Sequence, residues 1–363
     1  MNITLFIGST YGGGAERVTC NLANFLAEKG HNVDLLTMSE TKESYDVSNL
    51  VNKKSLLRIN ERGNRLINNA IRVIRFCKYL LSKKDVDAYI VMLPSTIKFF
   101  MTFKRLTKSK VIISERADPS CYKINTQRKL RKYARIVDGI IFQTNDAKRW
   151  YEDSIKETPA MVIPNAINPQ FMRDAFAGNR EPVIAAVGRL DKQKNFPLLI
   201  NAFSKIKNKY PDYKLKIYGE GTERLALEKL VSELDIVDSV ELPGNMMNIA
   251  ELIYKASVFV LPSNFEGMPN SLIEAMALGL PCISTDCPVG GPRFLINDGV
   301  NGILVNVNNV DELCDAMDRI LASEDYRKML GKNAALIQKT LSPSVIYNKW
   351  EDFIRKTVTE DNY

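Results

Sequence analysis

The run Asn264-Phe265-Glu266-Gly267-Met268-Pro269-Asn270-Ser271-Leu272-Ile273-Glu274-Ala275-Met276-Ala277-Leu278-Gly279 decides how this chain is read. It follows an apolar, β-like run from Ser257 to Leu261 and turns through Pro262, Ser263 and Asn264. A short helix is expected from about Ser271. Gly279 would stop it by taking the left-handed conformation, and Pro281 and a new strand, Cys282 to Thr285, lie just beyond. A strand, a loop with Gly267 and Pro269, and a helix N-terminus together make an anion site, because free backbone N–H groups and the positive end of the helix dipole face the loop. Two carboxylates flank it, Glu266 on the loop and Glu274 one turn into the helix. Taken alone, Ser271-x-x-Glu274 is a capping box and Glu266 a solvated loop acid. Their meaning comes from the rest of the chain.

With 363 residues the chain is too long for one ordinary core and suits two domains. A hydrophobic share of 45% with 25% charged residues is that of a globular protein. Cys20, Cys77, Cys121, Cys282, Cys287 and Cys314 are scattered without a C-x-x-C, which points to reduced, buried thiols in a cytoplasmic protein rather than disulfides or a zinc site. No apolar run reaches the length of a membrane span, and Met1 to Gly8 reads as a buried strand entering a Gly-rich turn rather than a signal peptide. The net charge of +8 is uneven: residues 1–170 carry 28 basic and 16 acidic side chains, the remainder 22 and 26. An anionic partner is therefore expected at the first half.

Short apolar strands alternate with helical patterns through that half, the signature of a parallel sheet covered by helices. Ile3 to Ile7 is the first strand, Gly12-Gly13-Gly14 leads into a helix carrying Val18, Leu22, Phe25 and Leu26, and Val33 to Thr37 follows. His31, the only histidine, sits at a helix-to-strand corner and reads as structural. From Lys53 to Lys84 there are ten basic residues and one acid, Glu61. On a helical wheel Leu66, Ile67, Ala70, Ile71, Val73, Ile74, Cys77, Leu80 and Leu81 make one broad apolar face, expected either to pack on the sheet or to belong to a helix meeting an anionic surface. Arg65, Arg72 and Arg75 fall on the opposite side. Anionic lipid headgroups or a lipid-borne diphosphate would suit those cations. Asp85-Val86-Asp87 matches a DxD metal signature, but it follows Lys83-Lys84 and precedes the strand Ala88 to Met92, so it reads as a strand-entry turn. Basic segments at Lys104-Arg105 and Arg128 to Arg135 come without any nucleic-acid-binding motif, and no nucleic-acid partner is expected.

The polar run Arg173 to Glu181 reads as a linker, after which Val183 to Val187 restarts the alternation. Arg189 leaves that strand and Lys194 precedes the next helix, so two cations share one loop at the carboxyl edge of a sheet. Arginine can fork onto phosphate oxygens, while lysine acts there as a point charge. Gly188, Gly219 and Gly244 end successive strands and open the same edge.

Between Leu261 and Val305 the chain resembles the donor-binding block of family 4 glycosyltransferases. The landmarks are Phe265-Glu266-Gly267, Pro269-Asn270, Glu274-Ala275-Met276-Ala277, Gly279-Leu280-Pro281, Ser284 to Pro288, Gly291-Pro292-Arg293 and Asn301-Gly302. Further landmarks around Gly13-Gly14 and Arg189 extend the resemblance over nearly the whole chain. It implies an α/β chain of GT-B fold: two Rossmann-like domains whose parallel sheets face an interdomain cleft, and a C-terminal helix crossing back. The boundaries expected are 1–172 for the acceptor domain, 180–341 for the nucleotide-sugar domain and 342–363 for the helix, whose Tyr347, Trp350, Phe353 and Ile354 supply an apolar face.

For the chemistry, the resemblance implies retaining transfer of a hexose or N-acetylhexosamine from a nucleotide sugar, with UDP expected, to a glycan acceptor expected to be lipid-linked. No metal and no cofactor are called for. Arg189 and Lys194 would hold the diphosphate, Glu266 would orient the donor sugar, and Glu274 would accept from the ribose hydroxyls. Gly13, Gly14, Gly188, Gly219, Gly244, Gly267, Met268, Pro269, Asn270 and Ser271 would line the donor site. Ser114-Glu115-Arg116-x-x-Pro119 resembles a subset acting on N-acetylated galactose units, which assigns Glu115, Arg116 and Asp118, with Arg65, Arg72 and Arg75, to the acceptor. Two departures are visible: no histidine follows that strand, and Phe294 stands where the subset often has an acid. The place of action implied is bacterial surface polysaccharide or glycoconjugate synthesis, cytoplasmic and peripheral at the inner face of the membrane. Rival readings are a UDP-sugar 2-epimerase of the same fold, which the shortage of histidine disfavours, and a non-catalytic glycan- or lipid-binding subunit.

Overall fold

The structure, a computed structural model, describes residues 1–176 and 178–360. They separate into two compact units, 1–165 with 346–360, and 166–345.

The first unit is built on a seven-stranded sheet in the order β3-β2-β1-β4-β5-β6-β7. Its strands are β1 (Asn2–Ile7), β2 (Asn32–Thr37), β3 (Val51–Ser55), β4 (Ala88–Met92), β5 (Lys110–Ser114), β6 (Gly139–Phe142) and β7 (Ala160–Val162). All pairs are parallel, with Ile3 opposite Val33 on one side of β1 and opposite Ala88 on the other. Continuous apolar runs such as Ala88–Met92 are buried from end to end because helices cover both faces of the sheet. Residues 346–360 belong to this unit: Trp350, Phe353 and Ile354 are buried, and the Tyr347 ring lies 5.4 Å from that of Phe25.

The second unit carries a six-stranded parallel sheet in the order β10-β9-β8-β11-β12-β13. Its strands are β8 (Glu181–Val187), β9 (Lys214–Tyr218), β10 (Val240–Gly244), β11 (Ala256–Leu261), β12 (Cys282–Thr285) and β13 (Ile303–Val305). Its core joins Ile184, Ala186, Ile217, Val258, Val260 and Ile283 from the sheet to Leu199, Phe203, Met317 and Ile320 from the helices. Three residues of the expected linker, Arg173, Arg180 and Glu181, are tied into this unit. Arg173 pairs with Glu251 at 2.7 Å, Arg180 donates to the carbonyls of Tyr254, Ala256 and Gly279, and Glu181 opens β8.

One wheel-based expectation holds only in part. The helix Arg65–Ser82 buries Phe76, Tyr79 and Leu80, and of the long aliphatic stripe only Leu80 is among them. Phe76 stacks on Phe6 at 5.2 Å and meets Phe99, Phe100 and Phe103, so an aromatic cluster fixes which side faces the sheet. Arg72 and Arg75 lie on the flank toward the protein and are held there. Arg72 donates to the Met38 carbonyl and Ser39 Oγ, and Arg75 grips both oxygens of Glu61 at 2.6 and 2.8 Å. Leu66, Ile67, Ile74 and Leu81 are left exposed.

The thiols also differ from expectation. Cys20, Cys282 and Cys287 are buried, but Cys77 and Cys314 are only partly so and Cys121 is exposed.

Candidate functional site

In a doubly wound sheet, a crevice opens where the strand order reverses, outside the carboxyl ends of the two strands concerned. In the second unit that point lies between β8 and β11. The loops leaving these strands are Gly188 to Asn195 and Pro262 to Pro269, the two anchors read from the sequence.

Main-chain and amide bonds fasten the loops together. Asn264 N donates to the Gln193 carbonyl at 2.8 Å, Asn264 Nδ2 to the Lys192 carbonyl at 2.8 Å, and Gln193 Nε2 to the Phe265 carbonyl at 3.0 Å. Lys194 thereby reaches Glu266, its Nζ donating to Oε1 at 2.6 Å with the two side chains only 13% and 8% exposed. Ser263 Oγ donates to the same oxygen at 2.8 Å, and Gln193 Nε2 approaches Oε2 at 3.4 Å. Arg189 behaves differently. Its side chain is 69% exposed, 3.3 Å from Asp191 and 3.4 Å from the Gln193 carbonyl oxygen of the side chain. The two cations thus share a loop, but one is locked into a buried pair while the other stands in solvent.

Beneath the loop, Cys287 is buried, and burial followed by the nearby Glu266 carboxylate pushes its thiol up to about 12. It stays protonated and is no nucleophile at neutral pH. The loop 264–269 is also held from behind: Glu266 N donates to the Pro288 carbonyl at 2.6 Å and Val289 N to the Glu266 carbonyl at 2.8 Å. Gly291 is needed there because a Cβ would run into the Gly267 carbonyl and come within 2.8 Å of Pro269 Cδ.

The helix following the loop runs Asn270–Ala277, capped by Pro269 with no side-chain cap bond, so the expected Ser271–Glu274 capping box is not what starts it. Leu272 and Ile273 N–H both turn back to the Pro269 carbonyl. Asn270 and Ser271 are half-buried, Met268, Pro269 and Glu274 buried, and Gly279 ends the helix at φ +68°. On the β8–β9–β10 side, Gly188 N donates to the Tyr218 carbonyl and Gly219 N to the Gly244 carbonyl. Gly219 has φ +141°, and a Cβ on it would collide with the Gly188 carbonyl. All the donor-site residues named from the second half therefore gather at one sheet edge. Gln193 and Ser263 join them unannounced, and Gly291, until then only a landmark of the resemblance, joins as a support, since no local pattern marks a glutamine, a serine or a glycine as the support of a glutamate elsewhere in the chain.

The first unit has its own reversal point between β1 and β4. Gly13 caps the helix Gly14–Glu28 there, and Leu93, after β4, is held at φ +72°. Glu115, Arg116 and Asp118 follow β5 and are all buried. Glu115 accepts from Tyr122 and Tyr151 at 2.6 and 2.7 Å and from two backbone N–H groups, yet burial outweighs these bonds and holds its carboxyl above the ordinary range. Arg116 donates to Asn165 Oδ1 and lies 6.0 Å from the Trp350 ring, and burial lowers it to about 10. Its Nε and Nη1 are buried without a hydrogen-bond partner among the described residues. Asp118 caps the turn at Ser120. Arg72 and Arg75, contacting the segments after β2 and β3, stand three to four strands from β5, roughly 15–19 Å. The structure does not gather them with Glu115, and Arg65 is exposed at the start of their helix. His31 is buried, with Nε2 3.1 Å from Glu351, and Asp87 accepts from Asn2 N at 2.7 Å at the start of the sheet. Among the described residues no cluster of three or more His, Cys, Asp or Glu could hold a metal, and no helix is long and apolar enough to cross a membrane.

Residues 12–171 match the Glycosyltransferase Family 4 model and residues 168–336 the Glycosyl transferases group 1 model. The GalNAc-α-(1→4)-GalNAc-α-(1→3)-diNAcBac-PP-undecaprenol α-1,4-N-acetyl-D-galactosaminyltransferase of Campylobacter jejuni is 29% identical over 354 residues, covering 96% of this chain and 97% of its own. Among solved structures, sucrose-phosphate synthase from Thermosynechococcus elongatus superposes with a TM-score of 0.83 at 20% identity, covering 98% of this chain and 99% of that one. Anabaena HepE in complex with UDP gives 0.80 at 15%, covering 98% and 100%.

Proposed function

The chain belongs to the glycosyltransferases, with a family 4 domain followed by a group 1 domain of GT-B fold, and from that premise we propose that it moves a hexose or N-acetylhexosamine from UDP to a lipid-linked glycan with retention of configuration, in bacterial surface polysaccharide or glycoconjugate synthesis. The observation that carries this is the buried Lys194–Glu266 pair at the reversal point of the second sheet, beside the N-terminus of the helix Asn270–Ala277. The Campylobacter relative, named for a diphospho-undecaprenol glycan, supports the acceptor class. UDP bound to HepE is consistent with the nucleotide.

Glycosyl transfer builds negative charge on the leaving diphosphate, and fixed positive potential there lowers the barrier. Arg189, exposed and forked, meets the phosphate oxygens; Lys194, anchored by Glu266, supplies a second cation, and the helix N-terminus adds its N–H groups. Glu266 keeps Oε2 for a donor-sugar hydroxyl while Oε1 holds Lys194. Glu274 receives the ribose hydroxyls, and the main chain after Gly267 touches the sugar phosphate. The leaving phosphate takes the acceptor proton, so no protein nucleophile is required, and the diphosphate is neutralised without a metal ion. Glu115, Arg116 and Asp118 serve the acceptor, and Arg116 brings two buried N–H donors without a partner of their own. Transfer from radiolabelled UDP-sugars to diphospho-polyprenol glycans tests the reading. Arg189→Ala/Lys194→Ala should abolish it, and intact transfer by that variant would refute the donor-site assignment. Conversion of a UDP-sugar to its epimer without acceptor would refute the reaction class.

A further inference from the structure

The outward stripe of the helix Arg65–Ser82 and the cations beside it are not used by the reaction. Leu66, Ile67, Ile74 and Leu81 are 79%, 51%, 66% and 55% exposed, and all four fall on one side of the helix. An apolar stripe this long on a helix is ordinarily turned inward; here the aromatic cluster around Phe76 has taken the inward side. Along one flank of the stripe a cavity of about 700 Å³ opens between the helix and the edge strand β3. It is lined by Lys53, Lys54, Arg58, Arg75, Lys78 and Lys83. Lys54 and Lys83 share Asp34 at 3.1 and 3.2 Å, and Arg75 is paired with Glu61. Lys53, Arg58 and Lys78 have no carboxylate within ion-pair distance among the described residues, and one further acid, Glu40, lines the cavity. The cavity therefore keeps a positive excess, and Lys78 stands between it and the apolar stripe.

We propose that this face lies on an anionic bilayer, with the stripe Leu66–Ile67–Ile74–Leu81 in the acyl boundary and the lysine–arginine cavity taking a lipid's phosphate headgroup. The proposal rests on the lipid-linked acceptor of the functional reading and changes the residues expected at the membrane: apolar side chains insert and the cations beside them select charge, whereas Arg72 and Arg75 are committed to the protein. Charge complementarity selects the occupant. A second copy of the chain would leave the unpaired Lys53, Arg58 and Lys78 facing their own equivalents across a two-fold interface, which is repulsive, whereas a surface of anionic headgroups over an apolar interior answers both halves of the face.

The test is co-sedimentation of the full chain with vesicles of phosphatidylcholine alone and with about 30% phosphatidylglycerol, neither containing a diphosphate-linked acceptor. Two variants are compared, Ile74→Glu/Leu81→Glu and Lys53→Ala/Arg58→Ala/Lys78→Ala, with melting curves confirming that both fold. Wild type should bind the anionic vesicles and not the neutral ones. Each variant should bind them at least about tenfold more weakly, the wild-type interaction fading with salt. Transfer to a water-soluble acceptor, measured in parallel, should stay within about twofold of wild type in both, because neither variant touches the proposed donor loops. Absence of vesicle binding, or binding that neither variant weakens, overturns the proposal. So does a dimer in sedimentation equilibrium that Ile74→Glu/Leu81→Glu dissociates while vesicle binding persists. Vesicle binding with the expected variant pattern but no transfer to any acceptor would sink the functional reading and leave this one standing.

Discussion

Replacing Glu266 with glutamine should be more damaging to the second unit than replacing its partner, by about 1 kcal/mol. The side chains of Lys194 and Glu266 are 13% and 8% exposed and 2.6 Å apart. Removing the carboxylate's charge leaves an ammonium group nearly out of water with no counter-charge, a loss of about 3–5 kcal/mol when burial is complete. The remaining access to water reduces that to about 2–3 kcal/mol. In Lys194→Met the carboxylate keeps Ser263 Oγ at 2.8 Å and Gln193 Nε2 at 3.4 Å, and the cost should be nearer 1–2 kcal/mol. The double variant should cost little more than Lys194→Met, which gives a coupling of about 2 kcal/mol. Tryptophan fluorescence is the wrong probe, since Trp150 and Trp350 both lie in the first unit. Hydrogen exchange of peptides covering 183–196 and 256–277 reads the right one. Costs that simply add, within about 0.5 kcal/mol, would show that the pair is not coupled and that the site lacks the anchored lysine on which the donor chemistry is argued.

Other expectations follow from single contacts. Gly291→Ala should displace the loop 267–269, because its Cβ would meet the Gly267 carbonyl and Pro269 Cδ; glycosyl transfer should fall by about a hundredfold, measured as turnover, with the melting temperature of the first unit unmoved. Arg75, and then backbone bonds at Arg58, hold Glu61 at about 2 against the opposing effect of burial. The stability this pair adds is therefore present above the ordinary carboxylate range and lost as pH falls through about 2, so the advantage of wild type over Glu61→Gln in urea midpoint should vanish on acidification. Glu115 has the opposite sign: burial raises it, so its contribution is complete below the ordinary value and lost as pH rises through the raised one. Wild type should accordingly lose stability relative to Glu115→Gln as pH rises above the ordinary carboxylate range, read from the same urea titrations.

Much of the architecture can be read from residue patterns. Ala88–Met92 and Cys282–Thr285 appear as strands with the bounds the chain adopts, the first because an apolar run buried on both faces leaves no alternative period to fit, the second because Gly279 and Pro281 mark where it begins. Val51–Ser55 escapes that reading: Asn52, Lys53 and Lys54 make it polar, which an edge strand tolerates and a pattern of hydrophobicity does not register. The helix Arg65–Ser82 is legible as a helix but not in its orientation. Counting aliphatic side chains favours the stripe through Ile74, whereas Phe76 with its four aromatic neighbours buries the other side. At the site, Glu266, Lys194 and Arg189 stand out by loop position and charge. Their unequal environments do not, since the partner of Lys194 is set by a loop that is its neighbour only after β8 and β11 pair. The same holds for the Pro269 cap, which replaces the capping box that spacing suggests.

The central claim is that the second unit grips a nucleotide's diphosphate with Arg189, Lys194 and a helix terminus, without a divalent ion. Calorimetric titration of UDP into the full chain and into Arg189→Ala/Lys194→Ala, both in EDTA, addresses it directly. The account predicts a saturable heat for the wild type that is weakened at least about thirtyfold in the variant, as the loss of two charge-assisted contacts requires. Equal affinity in the two proteins, or binding that appears only when magnesium or manganese is restored, would contradict it.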